Sequence, residues 1–180
     1  MKNKTRALTV ILIALIAVMH ISSCGKVPPE KFFGIAVLNV NLMSGFAGEG
    51  FSRQLESPTV KYSGDGSGTT PMTRREIVKM KTKSFEDNYD DVKGLSESGD
   101  GKDVLSSSKA LYEFVIPVMK NEYLSLADMY DKGATAEETR AMTDEINGKY
   151  STRFKELYDE LIKHGKAYAE KHNIKVNWGD

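Results

Sequence analysis

Downstream of its first thirty residues the chain alternates apolar stripes with short polar breaks, and the spacing within the stripes is mostly helical. From Glu30 to about Ala47, Phe33, Ala36, Val40, Met43 and Ala47 recur at steps of three and four. That puts them on one helical face. A strand through Ile35–Leu42 competes, because β-branched residues are present, but alternation fails at Val37-Leu38 and helix is preferred. Gly45, Gly48 and Gly50 weaken the end of this helix, at about 1 kcal/mol for each glycine in a helix interior, and a ragged second half runs to Leu55. Residues 57–70 read as a connection holding a short extended piece, Thr59-Val60-Lys61-Tyr62, and a glycine-rich stretch, Ser63–Gly68, flexible by composition.

Start and stop signals bound the later helices. The second opens either at Thr70, with Pro71 in its first turn, or at a Thr73/Glu76 capping box. Its apolar positions are Ile77, Met80, Phe85, Tyr89 and Val92, and Gly94 suits its C-terminal cap. The third runs from Asp103 to about Asp131 and stops at Gly133. Leu111, Val115, Val118, Glu122, Leu126 and Met129 form its stripe, and Pro117 should kink it, since proline removes one backbone bond. Thr135 and Glu138 form a second capping box. Behind them Met142, Ile146, Tyr150, Phe154, Leu157, Leu161, Gly165, Tyr168 and His172 keep helical steps to near Asn173, with a bend allowed at Gly148. The tail Ile174–Trp178 alternates and reads as extended. The expected fold is all-α, an antiparallel four-helix-type bundle. A short two-stranded ribbon of 59–62 with 174–178 would close one end of it. Irregular docking of Trp178 on the helices is the alternative for the tail.

The first thirty residues follow another pattern. Lys2, Lys4 and Arg6 precede an unbroken apolar stretch, Ala7–Met19, and Ile21-Ser22-Ser23-Cys24 follows shortly after it. The stretch is 13 residues long, whereas a spanning helix needs about 20. A basic start, a short apolar core and small residues before a cut site make a secretory signal peptide. Ile21–Cys24 resembles the lipobox of bacterial lipoproteins: aliphatic, small, small, Cys. The resemblance implies cleavage after Ser23, a diacylglycerol on the Cys24 thiol and an acyl chain such as palmitate on the new amine. It also implies anchoring to a membrane of the cell envelope, on the periplasmic or outer side. Stable anchoring takes two chains or more. The expected organisation is a signal peptide over 1–23, the lipidated Cys24 with a short tether over 24–29, and one helical domain over 30–180. Pro28-Pro29 stiffens that tether, so one end of the domain should sit near the lipid.

Composition then narrows the function. Cleavage would leave 157 residues, enough for one packed domain. It would remove three basic and no acidic residues, leaving 22 basic against 25 acidic. That balance offers no basic field for nucleic acid. Cys24 is the only cysteine, so lipidation leaves none for a disulfide, a nucleophile or a thiolate metal site. Glu86, Asp87, Asp90 and Asp91 crowd one and a half turns of the second helix, where like charges four apart repel and a divalent cation would relieve them. Lys83 and Lys93 lie within helical reach and make a solvated face the plainer reading. His164 and His172 stand eight residues apart, and with Met119 or Met129 on a facing helix they could ligate haem iron. No C-x-x-C-H motif accompanies them, and border histidines near a helix C-terminus explain them as well. Gly64, Gly66 and Gly68 match neither a Walker loop, which needs a following lysine, nor the dinucleotide fingerprint, since Thr69 replaces its third glycine.

The sequence is therefore read as a non-enzymatic binding or protein-interaction module of the cell envelope. Its expected partners are membrane lipid through Cys24 and an envelope protein, and no cofactor is expected. The alternative is a small-ligand, metal or haem carrier using the bundle interior. Replacing Cys24 tests the anchor: Cys24→Ser should leave an unlipidated protein, retained as precursor or released into the soluble fraction. A Ser variant that still matures at residue 24 and floats with membranes would refute the lipobox.

Overall fold

A computed structural model describes residues 27–57, 59–96 and 99–178. Cys24 and the signal and lipobox readings lie outside them. The described chain is mostly helical and carries a small two-stranded antiparallel hairpin. Its order is α1 (Pro29–Ala36), a 3-10 segment (Leu38–Met43), α2 (Glu49–Glu56), β1 (Thr59–Tyr62), β2 (Thr69–Met72) and α3 (Arg74–Lys93), followed by α4 (Lys102–Val118), a π-type turn (Met119–Tyr123), α5 (Leu124–Asp131) and α6 (Ala136–Lys171).

Both capping boxes form. The hydroxyls of Thr73 and Thr135 accept the N–H groups of Glu76 and Glu138, whose carboxylates reach back to the cap residues. α6 then runs unbroken for 36 residues, through Gly148. At 1.5 Å per residue it is roughly 54 Å long, and α1, α4 and α5 are laid along it. Near its C-terminal end Tyr168 packs on Phe32 and Phe33 of α1, and Asp100, just before α4, meets Lys171 and His172. Further along, Ser107 of α4 meets His164, and Phe114 meets Tyr150. α4 therefore runs antiparallel to α6. α3 is antiparallel to α4–α5 in turn: Tyr89 bonds Glu113 at 2.5 Å, Glu86 pairs with Lys120, and Arg75 with Asp128.

The first helical stripe is buried as expected, with Phe33, Ala36, Val40, Met43 and Ala47 all inside. The helix carrying it is not continuous. It tightens into the 3-10 segment, turns through Gly45 (φ 81°) and Ala47 (φ 48°), and restarts as α2. A side chain on Gly45 would place its Cβ 2.9 Å from the Gly50 Cα, so both the dihedral and the close approach require glycine there. On α3, Met80 is exposed, and Val78 and Thr82 are buried with Phe85 and Val92. The α3 stripe is thus rotated from the expected one, because the N-terminal layer and α4–α5 decide which side is covered.

The third helix is interrupted two residues beyond Pro117, where the ladder widens into the π-type turn. A π turn inserts an extra residue into the helical repeat. Tyr123 becomes fully buried, while Glu122 sits at the rim, accepting the Tyr150 hydroxyl and facing Lys149 at 3.6 Å.

The expected pairing of 59–62 with 174–178 is not made. β1 pairs with β2 instead, Val60 opposite Pro71 and Tyr62 opposite Thr69. The two segments of the expected ribbon flank different ends of α6, whereas Ser63–Gly68 closes the local hairpin at a small entropic cost. That loop is ordered by hydrogen bonds: Ser63 N–H donates to Gly68 O (2.8 Å), and the Asp65 carboxylate accepts from Ser67 N–H (3.0 Å) and hydroxyl (2.6 Å). The tail docks on the helices. Ile174, Val176 and Trp178 face inward between exposed Lys175 and Asn177, and Trp178 meets Phe33 edge-on at 5.8 Å.

Tyr123 anchors the interrupted N-terminal layer. Its ring packs on Phe46 and Phe51, and its phenol oxygen accepts the Ala47 N–H at 2.9 Å. Burial pushes the phenol to about 12. Tyr123→Phe should cost about 1–3 kcal/mol, the penalty of a buried donor left unpaired, read as a lower urea midpoint with unchanged slope. A midpoint within error of the parent would show that the bond carries no stability.

Candidate functional site

A concavity lies at the N-terminal end of α6, between that helix and α2. It is a cleft of about 1100 Å³, walled by Glu49, Ser52, Arg53 and Glu56 on one side and by residues from Glu137 to Asn147 on the other. Tyr130 and Ala134 close its end.

Local rules place each wall. The α6 wall begins at the Thr135 cap, so Glu137, Arg140 and Asp144 project from the first turns of a firmly started helix. Thr139 is buried beneath them and donates back to the Thr135 carbonyl at 3.2 Å. The α2 wall is held at its start by Phe51 N–H on the Gly45 carbonyl (3.1 Å), and at its end by Arg74 Nε on the Leu55 carbonyl (3.2 Å). Arg74 is itself fixed, because the Asp131 carboxylate accepts the N–H groups of Arg74 and Arg75 at 2.9 and 3.0 Å. The Arg75 guanidinium bonds Asp128 and holds that carboxyl below the usual range.

The cleft is polar and acceptor-rich. Glu49, Glu56, Glu137 and Asp144 bring four carboxylates against Arg53 and Arg140. Arg53 is engaged by Glu49 one turn earlier. In the floor, the Asn147 carbonyl oxygen is shielded from solvent and makes no hydrogen bond among the described residues, and the buried Ser52 hydroxyl is paired with the Tyr123 phenol. Buried polar groups are normally paired, so the Asn147 oxygen is conspicuous.

The residues singled out in the sequence lie elsewhere. Along α3, Lys83 pairs with Asp87, Lys93 with Asp90 (2.7 Å), and Glu86 with Lys120 of the π-type turn (2.5 Å). Asp91 is exposed on the same helix. His164 Nδ1 lies 2.7 Å from the Ser107 hydroxyl, which bonds the Asp103 carbonyl at 3.0 Å. With the one hydroxyl proton on that carbonyl, His164 Nδ1–H is the donor. His172 Nε2 lies 2.7 Å from Asp100, which Lys171 also contacts at 3.0 Å. The structure does not bring the two histidines together. Among the described residues no group of three or more His, Cys, Asp or Glu is arranged to hold a metal ion, and no helix is long and apolar enough to cross a membrane.

Sequence reasoning passed over the cleft residues. Glu137 and Arg140 read as an ordinary helix start, and Ser52 as part of a ragged end. Two acidic, glycine-flanked turns separated by ninety residues carry no local signal that they face one another. No known protein family, curated protein or solved structure matches the chain.

Asp100 generates a pH prediction. Hydrogen bonds from Lys171 first and His172 second pull its carboxyl down to about 2. A carboxyl lowered on folding stabilises above its unfolded value, near 3.9, and that contribution is lost as pH falls through the folded value. Asp100→Asn should therefore melt below the parent at neutral pH, with the gap constant down to about pH 4 and closing towards pH 2. A gap that persists at the acid end would remove Asp100 as the clamp between the α4 start and the α6 end.

Proposed function

We propose that the protein is a lipid-anchored lipoprotein of the bacterial cell envelope that acts as a non-enzymatic binding module, with a protein partner at the α2–α6 cleft. In this reading the helices form an antiparallel four-helix-type bundle of α3, α4–α5, α6 and the interrupted α1–α2 layer. That layer takes the place of one continuous helix.

One observation carries the reading, the separation of the two ends of α6. The described chain begins at Val27, beside α1, whose Phe32 and Phe33 pack against Tyr168. A lipid on Cys24 would thus lie next to the C-terminal end of α6. The cleft is formed near Arg140, 28 residues earlier on the same helix, roughly 40 Å away at 1.5 Å per residue. A short tether at one end directs the cleft away from the bilayer. The polar lining of the cleft favours recognition of a polar surface.

The test places a photo-crosslinking residue at Thr143, inside the cleft, and at Met80, exposed on α3 outside it. In intact cells Thr143 should give a discrete higher-mass adduct and Met80 none. No adduct from Thr143, or the same adduct from both positions, would remove the binding-module reading.

A further inference from the structure

We infer that the outer face of α1 and the 3-10 segment rests on the bilayer surface, its apolar side chains seated among the lipid headgroups and the first acyl carbons; this rests on the lipid anchor proposed above. Three observations point the same way. The first is the face itself. Phe33, Ala36, Val40 and Met43 are buried on the inner side of this layer, yet its outer side is apolar too. Leu38 is 42 % exposed and Leu42 is 51 % exposed, with half-buried Ile35 before them and exposed Lys31 one turn earlier. Lys31, Ile35, Leu38 and Leu42 follow at steps of 4, 3 and 4, which marks one side of the layer. A Cβ added to Gly34 would meet nothing within 4 Å, so that side stands open. A lone exposed leucine is ordinary, but an element apolar all round is normally covered all round.

The second is charge. The chain is 28 % charged, yet from Lys31 to Gly48 it holds no Asp or Glu, and Lys31 is the one charged residue of that stretch. The water-facing side of α3 carries Lys79, Lys83, Asp87 and Asp90 instead. Anionic lipid headgroups attract lysine and repel carboxylates. A face without carboxylates, with its lysine at the anchored end, is complementary to such a surface.

The third is place. The described chain begins at Val27 and α1 starts at Pro29. Three peptide steps separate Cys24 from Val27, at most roughly 11 Å when extended. α1 adds only about 12 Å, so the stripe lies within reach of any bilayer that holds Cys24. Val37 packs on Gly165, where an added Cβ would come 3.1 Å from the valine Cγ1. The stripe therefore sits at the anchored end of α6, and the cleft lies further along that helix. Amphipathic elements of this kind bury their apolar face roughly 5–10 Å into the interface.

Cys24 is the only cysteine, so once it is lipidated an added cysteine is the single free thiol. The experiment uses the full lipidated protein, with the acylation of Cys24 verified by mass spectrometry. An environment-sensitive fluorophore is placed at Asn41→Cys, exposed beside Leu42, or at Ser106→Cys, exposed on α4. Ser106 adjoins Ser107, which meets His164, so the two labels stand close to the same level of α6. The protein is reconstituted in vesicles of phosphatidylcholine and phosphatidylglycerol in equal parts, with a nitroxide high on the acyl chain of a small fraction of the lipid. Quenching at Asn41 should exceed that at Ser106 several-fold. Adding Leu38→Asn and Leu42→Asn should lower it to the Ser106 level with an unchanged circular dichroism spectrum. Equal quenching at the two positions overturns the inference, as does Asn41 quenching that survives the double replacement. Blue-shifted but unquenched emission from Asn41 also overturns it, because a second copy of the chain would then cover the stripe. A protein without lipid on Cys24 removes the anchor and this contact with it, whereas a lipidated protein without Asn41 quenching keeps the anchor and loses only the contact.

Discussion

The hydrogen bond from the Ala47 N–H to the Tyr123 phenol joins the two irregular parts of this molecule. On one side is the π-type turn that swings Tyr123 into the core. On the other is the positive-φ turn that ends the first helical layer and restarts it as α2. Neither irregularity is stable by itself. A π turn gives up regular helical bonding, and Ala47 holds a left-handed conformation that disfavours an L side chain. Each is retained because it satisfies the other, with Phe46 and Phe51 packed on the Tyr123 ring. The cleft follows from this, since α2 is one of its walls.

The aromatic residues divide the molecule along α6. Phe32, Phe33, Tyr168 and Trp178 cluster at its C-terminal end, and Phe46, Phe114 and Phe154 with Tyr123 and Tyr150 fill the middle. Aromatic rings give way to carboxylates, guanidinium groups and hydroxyls at the N-terminal end. Large apolar surfaces thus seal the end nearest Val27 and the centre, while the far end is left polar and open.

The charged groups follow a similar division. Some ion pairs lie on the surface and hold single turns, as Lys83 with Asp87 or Lys155 with Asp159 do, and such pairs contribute little to stability. Others join distant parts of the chain. Asp100 ties the start of α4 to the end of α6, and Asp131 and Asp128 tie the start of α3 to the end of α5. The acidic run on α3 belongs to the first kind for Asp87 and Asp90 and to the second for Glu86. Its lysine partners offset the like-charge repulsion that draws the eye in the sequence.

Local rules made much of the fold legible. The Thr135/Glu138 capping box marked the start of α6, and the Thr73/Glu76 box was one of two starts open for α3, because a hydroxyl and a carboxylate three residues apart satisfy the free N–H groups of a first turn whatever surrounds them. The 3.6-residue period marked the α6 stripe down to Gly165 and Tyr168, and that helix is continuous because nothing in it competes with the helical ladder. The lipobox reading belongs to residues 21–24 and needs no fold. Tertiary structure alone decided the rest. It ended the first α-helix at Ala36 and tightened the chain into a 3-10 segment, turned Met80 outward, moved the third-helix interruption past Pro117, and paired Thr59–Tyr62 with Thr69–Met72 rather than with the tail. In each case the outcome turned on what a residue meets across the core, which spacing along a chain does not encode. The cleft is the extreme instance: Ser52 and Asn147 are ordinary polar positions until α2 and α6 bring them to one floor, Ser52 against the Tyr123 phenol and the Asn147 oxygen with no hydrogen bond among the described residues.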